Sequence, residues 1–144
     1  MKNLFQLMFI CLALIASSCR EDEKSFLVSG YTAENNPDVM LCAIDEKGSA
    51  RMVSEFNGGD NPSYFTFGEN NLVYFVNEVD SFNLAKGGGI TTLRLDKDSM
   101  KLTRESSVNQ GGGGPCHITL SNDGRFLITA NYGSGSVSLV RLNS

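Results

Sequence analysis

The sequence contains no tryptophan, only three prolines and a single histidine among its 144 residues. Its 12 lysines and arginines are outnumbered by 16 aspartates and glutamates and form no basic cluster, so we expect no nucleic-acid partner. No segment after residue 18 repeats its apolar residues at the period of an α-helix, which argues against a helical domain. No histidines, cysteines or carboxylates have the spacing of a metal site, and we expect no cofactor.

The first 18 residues have the pattern of a signal peptide that is removed from the mature protein. Lys2 precedes an apolar run, Leu4–Ala16, that is shorter than the roughly 20 residues a membrane-spanning helix needs. Small residues then lead to Cys19, which resembles the acylated cysteine of a bacterial lipobox, although leucine is commoner where Ala16 stands. We therefore expect an extracytoplasmic lipoprotein, periplasmic or on the cell surface, that contacts the membrane only through its lipid anchor. The alternative is an ordinary secretory signal with an incidental cysteine.

A charged segment follows the leader, and we interpret residues 19–25 as the lipidated cysteine with a solvated tether. Acidic residues after a lipobox also resemble the surface-export signals of some Gram-negative lipoproteins. Beyond the tether lie two further cysteines, Cys42 and Cys116. The predicted compartment would permit a disulfide between them, but we expect two buried free thiols.

Glycine is abundant, with 15 residues, and two long stretches of the sequence resemble each other. The first reads GGDNPSYFTFGENNLVYFVNE and the second reads GGGGPCHITLSNDGRFLITANY. Pro115 lies 53 residues after Pro62, and Asn131 lies 54 residues after Asn77. A repeat of slightly more than fifty residues that is composed of strands has the size of a β-propeller blade.

Short segments with the composition of β-strands alternate with turn residues along the chain. The predicted strands are Phe26–Tyr31, Val39–Ile44, Arg51–Phe56, Tyr64–Phe67, Leu72–Asn77, Ile90–Leu95, Leu102–Val108, Ile118–Leu120, Phe126–Asn131 and Val137–Leu142. Starting each blade at Pro62 or Pro115 gives groups of three, four and three strands. The predicted fold is therefore all-β, a partial β-propeller of about two and a half four-stranded blades over residues 26–144. The last strand leaves an open sheet edge, and we interpret the chain as a truncated propeller.

Several motifs along the predicted strands match one known family in their order and spacing. They are NPSY at Asn61–Tyr64, VNE at Val76–Glu78, GPCH at Gly114–His117, SNDGRFL at Ser121–Leu127 and ANYGSGSVS at Ala130–Ser138. These motifs resemble the seven-bladed lactonase propellers, which include the propeller-type 6-phosphogluconolactonases. The resemblance implies a complete protein of seven blades, a role in carbohydrate metabolism and hydrolysis of a sugar-acid lactone.

The resemblance also implies an active site at the mouth of the central channel. His117 matches the histidine of the GPCH-type motif and is our candidate general base, because imidazole exchanges protons near neutral pH. The alternative for this residue is a structural role at the start of a strand. Glu78 is a second catalytic candidate, for which an ordinary surface glutamate is the plainer interpretation. Asn77, Asn131 and Tyr132 are candidates for substrate binding, although the two asparagines could instead bond loop backbone.

Three other features have plainer explanations than chemistry. Cys116 precedes His117, but neighbours on a strand point to opposite faces, so we expect a packing residue and no Cys/His dyad. The glycine runs Gly87–Gly89 and Gly111–Gly114 lack the lysine that ends a phosphate loop, and they would let backbones approach closely. The aspartates of residues 96–99 fit a hairpin turn better than a calcium loop.

Three functions stay open. The first is an extracytoplasmic lactonase that acts on a small-molecule lactone. This chain would be only a part of that enzyme and would be inactive alone. The second is a non-enzymatic propeller that serves as a binding module, and the third is an inactive fragment. The predicted location favours an unphosphorylated sugar lactone, because the phosphorylated one is made in the cytosol.

Overall fold

The computed structural model describes residues 24–31 and 38–142, and within these ranges all regular secondary structure is β. No helix in the described part of the chain is long and apolar enough to span a bilayer. The predicted signal peptide, Cys19 and the first residues of the predicted tether lie outside the described residues.

Twelve strands occur in the described ranges, and most of them form three antiparallel sheets. In chain order they are β1 (Lys24–Ser29), β2 (Val39–Ile44), β3 (Ala50–Phe56), β4 (Tyr64–Phe67), β5 (Leu72–Asn77), β6 (Ser81–Phe82), β7 (Ala85–Lys86), β8 (Gly89–Asp96), β9 (Lys101–Asn109), β10 (Pro115–Leu120), β11 (Phe126–Asn131) and β12 (Ser136–Arg141). The first blade has the order β1-β2-β3, the second β4-β5-β8-β9 and the third β10-β11-β12. The predicted grouping into three, four and three strands is therefore confirmed.

The predicted strand bounds hold to within one residue except at two strands. The first strand begins at Lys24, inside the segment that the sequence predicted to be tether, and it ends at Ser29. The strand predicted at Ile118–Leu120 begins earlier, at Pro115, and a β-bulge interrupts its pairing with β11 between Pro115 and His117. The bulge explains the error, because it breaks the alternation from which a strand is recognised in sequence.

One hairpin was not predicted at all. β6 and β7 are two residues each and are joined by Asn83 and Leu84, whose φ angles of 51° and 64° are typical of a two-residue hairpin turn. The Asn109 side-chain amide lies 3.1–3.2 Å from four carbonyl oxygens of residues 82 and 85–87 and holds the hairpin to the end of β9. Strands this short contain too few residues to show a period in the sequence.

The blades pack face to face through two apolar cores. Val73 and Phe75 of β5 belong to the core that includes the first blade, whereas Tyr74 and Val76 belong to the core that includes the third. The second blade is therefore buried on both faces. Complete burial of a side chain such as Phe75, which has no exposed surface, contributes roughly 1.5–3 kcal/mol.

The opposite face of the third blade is apolar but uncovered. Val137 and Leu139 are 71% and 63% exposed, and in the repeat they match Ile90 and Thr92, which are buried in the second blade. The third blade covers this apolar face of the second blade, and its own equivalent face is exposed. This is the surface expected of a partial propeller.

The glycine runs allow close contact between the second and third blades. A Cβ atom on Gly88 would overlap the ring of Pro115, and one on Gly112 would overlap the side chain of Asn131. The Gly88 N–H also donates to the Gly112 carbonyl at 2.6 Å. The expectation that these glycines let backbones approach closely is confirmed.

The aspartates of residues 96–99 form a hairpin turn, as predicted. Asp96 Oδ1 accepts from the backbone N–H groups of Asp98 and Ser99 at 2.9 and 3.1 Å. The hydrogen bonds from Ser99 lower the pKa of Asp96 below its ordinary value.

Candidate functional site

The candidate residues gather at one end of the three blades, which we call the loop face. It is formed by residues 30–31, 38, 57–63, 78–88, 110–114 and 132–135. β4 and β10 are the first strands of the second and third blades, and we call them the inner strands. Both start at this end, because Tyr64 pairs with Val76 and Pro115 pairs with Asn131. The ends of β5 and β11 therefore lie beside the starts of β4 and β10.

His117 lies on the inner strand of the third blade and is exposed at the loop face. Its imidazole packs against the ring of Tyr64, with 4.6 Å between the ring centroids and 31° between the ring planes. Neither ring nitrogen has a hydrogen-bond partner among the described residues. The imidazole is therefore oriented by a ring contact and keeps both nitrogens for a ligand or for water.

Cys116 does not pack in the interior, and that prediction is wrong. The β-bulge makes Cys116 the extra residue between Pro115 and His117, and the residue is exposed. Its thiol lies 3.7 Å from the Ala130 carbonyl oxygen. Cys42, on the first blade, is half-buried, and both cysteines are free thiols as expected, although neither is fully buried.

Glu78 follows β5 at the loop face and is half-buried. Its backbone is fixed by Asn61, because the Glu78 N–H donates to the Asn61 carbonyl at 2.9 Å and the Asn61 amide contacts the Glu78 carbonyl at 3.4 Å. Hydrogen bonding to the Glu78 carboxylate raises the pKa of the Tyr31 phenol above its ordinary value, which brings the two side chains together. The loop before the second blade, through Asn61, and the first blade, through Tyr31, therefore both contribute to the position of Glu78.

Sequence reasoning missed Tyr31 as a site residue. The tyrosine follows β1 as Glu78 follows β5, and β1 pairs with β2 as β5 pairs with β8. Extending the repeat to the first blade would have placed Tyr31 at the loop face. The phenol is 64% exposed, so its contact with Glu78 is available to solvent and to a ligand.

Asn77 is fully buried, and its side-chain amide is engaged inside the protein. Its Nδ2 donates to the carbonyls of Gly58 and Asp60, each at 3.0 Å, and its Oδ1 accepts from the Thr91 hydroxyl at 2.7 Å. This arrangement favours the loop-bonding alternative for Asn77 over contact with a substrate.

Asn131 occupies the matching place in the third blade and is also buried. Its Nδ2 contacts the hydroxyls of Ser136 and Ser138, and its Oδ1 accepts from the Gln110 amide at 3.1 Å. Tyr132 is different, because 85% of the residue is exposed at the loop face. Of the three substrate-binding candidates, only Tyr132 therefore has a side chain that a ligand can reach.

The loop face is acidic. Its described residues include one basic side chain, Lys86, and four carboxylates, which belong to Asp38, Asp60, Glu78 and Asp80. Asp38 is buried, with 4% of the residue exposed.

The site combines an imidazole, a carboxylate and three tyrosines. Nowhere in residues 24–31 and 38–142 do three or more histidine, cysteine, aspartate or glutamate side chains form a group that could hold a metal ion. An imidazole with unbound nitrogens can accept a proton from water, and a carboxylate can orient a water molecule. These groups are suited to hydrolysis.

The family model of the seven-bladed β-propeller lactonases matches residues 25–144 of this chain. The 6-phosphogluconolactonase of Bacillus subtilis is 33% identical over 78 residues, which cover 54% of this chain and 21% of that protein. The periplasmic gluconolactonase of Pseudomonas aeruginosa is 30% identical, with a TM-score of 0.67 over 85% of this chain and 35% of that one. A candidate 6-phosphogluconolactonase of Bacteroides fragilis is 27% identical, with a TM-score of 0.73 over 88% of this chain and 34% of that one. The chain thus spans about a third or less of the length of these relatives.

Replacing Asn77 by alanine should destabilise the fold, because two loop carbonyls and the Thr91 hydroxyl would lose a buried partner. We expect the free energy of unfolding to fall by roughly 1–3 kcal/mol, measured by urea denaturation. The control is Asn122→Ala in an exposed turn. This substitution should change the free energy of unfolding by less than about 0.5 kcal/mol. Equal effects of the two substitutions would contradict the role of the Asn77 amide.

Replacing Glu78 by glutamine should lower the pKa of Tyr31 toward its ordinary value, because the carboxylate stabilises the protonated phenol. The raised pKa means that the bond stabilises the fold at neutral pH and that this contribution is lost as the pH rises through the pKa of the folded protein. Tyrosine ring carbons labelled with ¹³C report the titration by NMR. Glu69→Gln, on an exposed turn at the other end of the blades, is the control and should leave the Tyr31 titration unchanged.

Proposed function

This chain belongs to the lactonase family of seven-bladed β-propellers, and we propose that it is part of an enzyme that hydrolyses a sugar-acid lactone. The chain spans about a third of its solved relatives. The activity is therefore proposed for the complete propeller, and these 144 residues alone are expected to be inactive.

One observation carries the proposal: the imidazole of His117, on an inner strand at the loop face, keeps both ring nitrogens unbound among the described residues. In the second blade its place is taken by Tyr64, so the blade geometry does not require an imidazole at this position.

The proposed chemistry is the addition of water to the lactone carbonyl. His117 accepts a proton from water as the oxygen attacks the carbonyl carbon, and the ester bond to the ring oxygen then breaks. The same proton passes to the departing ring oxygen, so that the product is an open-chain hydroxy acid and the imidazole is restored. We assign to Glu78 the orientation of the water or of the imidazolium, with the Tyr31 hydroxyl as a hydrogen-bond partner of that carboxylate.

The charge of the loop face supports an unphosphorylated substrate. Lys86 is the one basic side chain among the described residues of that face, and carboxylates outnumber it. Relatives of both kinds occur, since one is a 6-phosphogluconolactonase and another a periplasmic gluconolactonase. We propose the second type of substrate for this chain, a neutral gluconolactone-like ring.

The test replaces His117 by alanine in the protein that carries every blade its reading frame encodes. We expect hydrolysis of gluconolactone, followed by pH-stat titration of the acid released, to fall by about 100-fold or more. Thr119→Ala is the matched control, an exposed side chain two positions along the same strand. Equal rates for the wild type and His117→Ala would remove His117 from the mechanism. Binding of the lactone without turnover in the wild type would favour a binding module instead.

We also propose that the protein acts outside the cytoplasm as a lipoprotein anchored through Cys19. Radiolabelled palmitate should be incorporated into the wild-type chain and should be absent from Cys19→Ser, because acylation requires the cysteine. Cys42→Ser is the control and should still be labelled. Labelling of Cys19→Ser at the wild-type level, or cytoplasmic wild-type protein, would contradict the proposal.

A further inference from the structure

We propose that Tyr64 is a positioning residue for His117, and that its ring sets the plane of the imidazole at the loop face. This inference rests on the proposed role of His117 as the general base. It assigns to Tyr64 an effect through the histidine and no contact with the reacting atoms.

The repeat places Tyr64 and His117 side by side. Tyr64 and His117 hold the same place on neighbouring inner strands, Tyr64 on β4 of the second blade and His117 on β10 of the third. Equivalent residues on adjacent blades project in similar directions and lie side by side around the axis of a propeller. The repeat therefore brings an aromatic ring next to the imidazole.

The geometry of the pair supports the same role for Tyr64. The centroids lie 4.6 Å apart with the planes inclined by 31°, which is at the close end of the range for attractive aromatic contacts. Such a contact covers one face of the imidazole. The ring nitrogens lie in the plane of the ring, at its edge, so the contact leaves them free for water or a substrate.

Both rings are accessible among the described residues, because Tyr64 is 43% exposed and His117 is exposed as well. No hydrogen bond from residues 24–31 or 38–142 restrains the imidazole. Most catalytic histidines are oriented by a hydrogen bond to a second residue; among the described residues, the contact with Tyr64 takes that place.

The ring contact predicts which atoms of Tyr64 are needed to orient His117. The contact uses the ring, so Tyr64→Phe should preserve it and Tyr64→Leu should remove it. Phe67→Leu is the matched control, because Phe67 is an exposed aromatic residue of the same strand and its described ring contact is with Phe65.

The first experiment does not depend on activity. In the protein with all its encoded blades, the two ring C–H signals of His117 can be assigned by their loss in His117→Gln. We expect NMR to show these signals shifted upfield by the Tyr64 ring in the wild type, in Tyr64→Phe and in Phe67→Leu. They should move to the positions of an unstacked histidine in Tyr64→Leu. Signals that are the same in Tyr64→Leu as in the wild type would overturn the proposal.

The second experiment measures kinetics on gluconolactone in the protein with all its encoded blades. Tyr64→Leu should lower kcat by about tenfold with KM nearly unchanged, because a misoriented base slows the chemical step. Tyr64→Phe should restore the rate. A change in KM alone, or an equal loss in Tyr64→Phe, would overturn the positioning role. Wild-type rates in His117→Ala would instead refute the proposed function, and the NMR result would still decide whether Tyr64 orients the ring.

Discussion

Face-to-face packing of neighbouring blades is the constraint on which the rest of this structure depends. A sheet of three or four strands has two faces to bury and no core of its own, so each blade is stable only where its neighbour covers it. Phe75 and Val76 show this most directly, because they are adjacent on one strand and are buried in different cores. The same packing aligns the starts of the inner strands and so creates the loop face.

Buried asparagines join that packing to the site. Asn77 and Asn131 end the second strand of their blades, and each ties polar groups of the neighbouring loops or strands together. An amide serves this purpose because it donates and accepts at once, and its burial is tolerated because its hydrogen bonds are made. The same residue type thus has different partners in the two blades, loop carbonyls at Asn77 and side chains at Asn131.

The candidate chemistry lies where the repeat changes residue type while keeping its backbone. The position of Tyr64 in the second blade is occupied by His117 in the third, and the position of Glu78 is occupied by Tyr132. Equivalent positions around an axis thus present an imidazole, a carboxylate and phenols to a common surface. Tyr31 adds the first blade to this surface through its hydrogen bond with Glu78.

The sequence by itself determined the repeat, the three-four-three grouping and most strand bounds, because alternating apolar residues and turn residues are local properties. It also identified His117 and Glu78 as candidates. Only the tertiary structure decided that Asn77 is closed to ligands, that a bulge exposes Cys116, and that tyrosines contact the imidazole and the carboxylate. These properties join residues far apart in the chain, and they depend on the angle and spacing between blades, which no local pattern encodes.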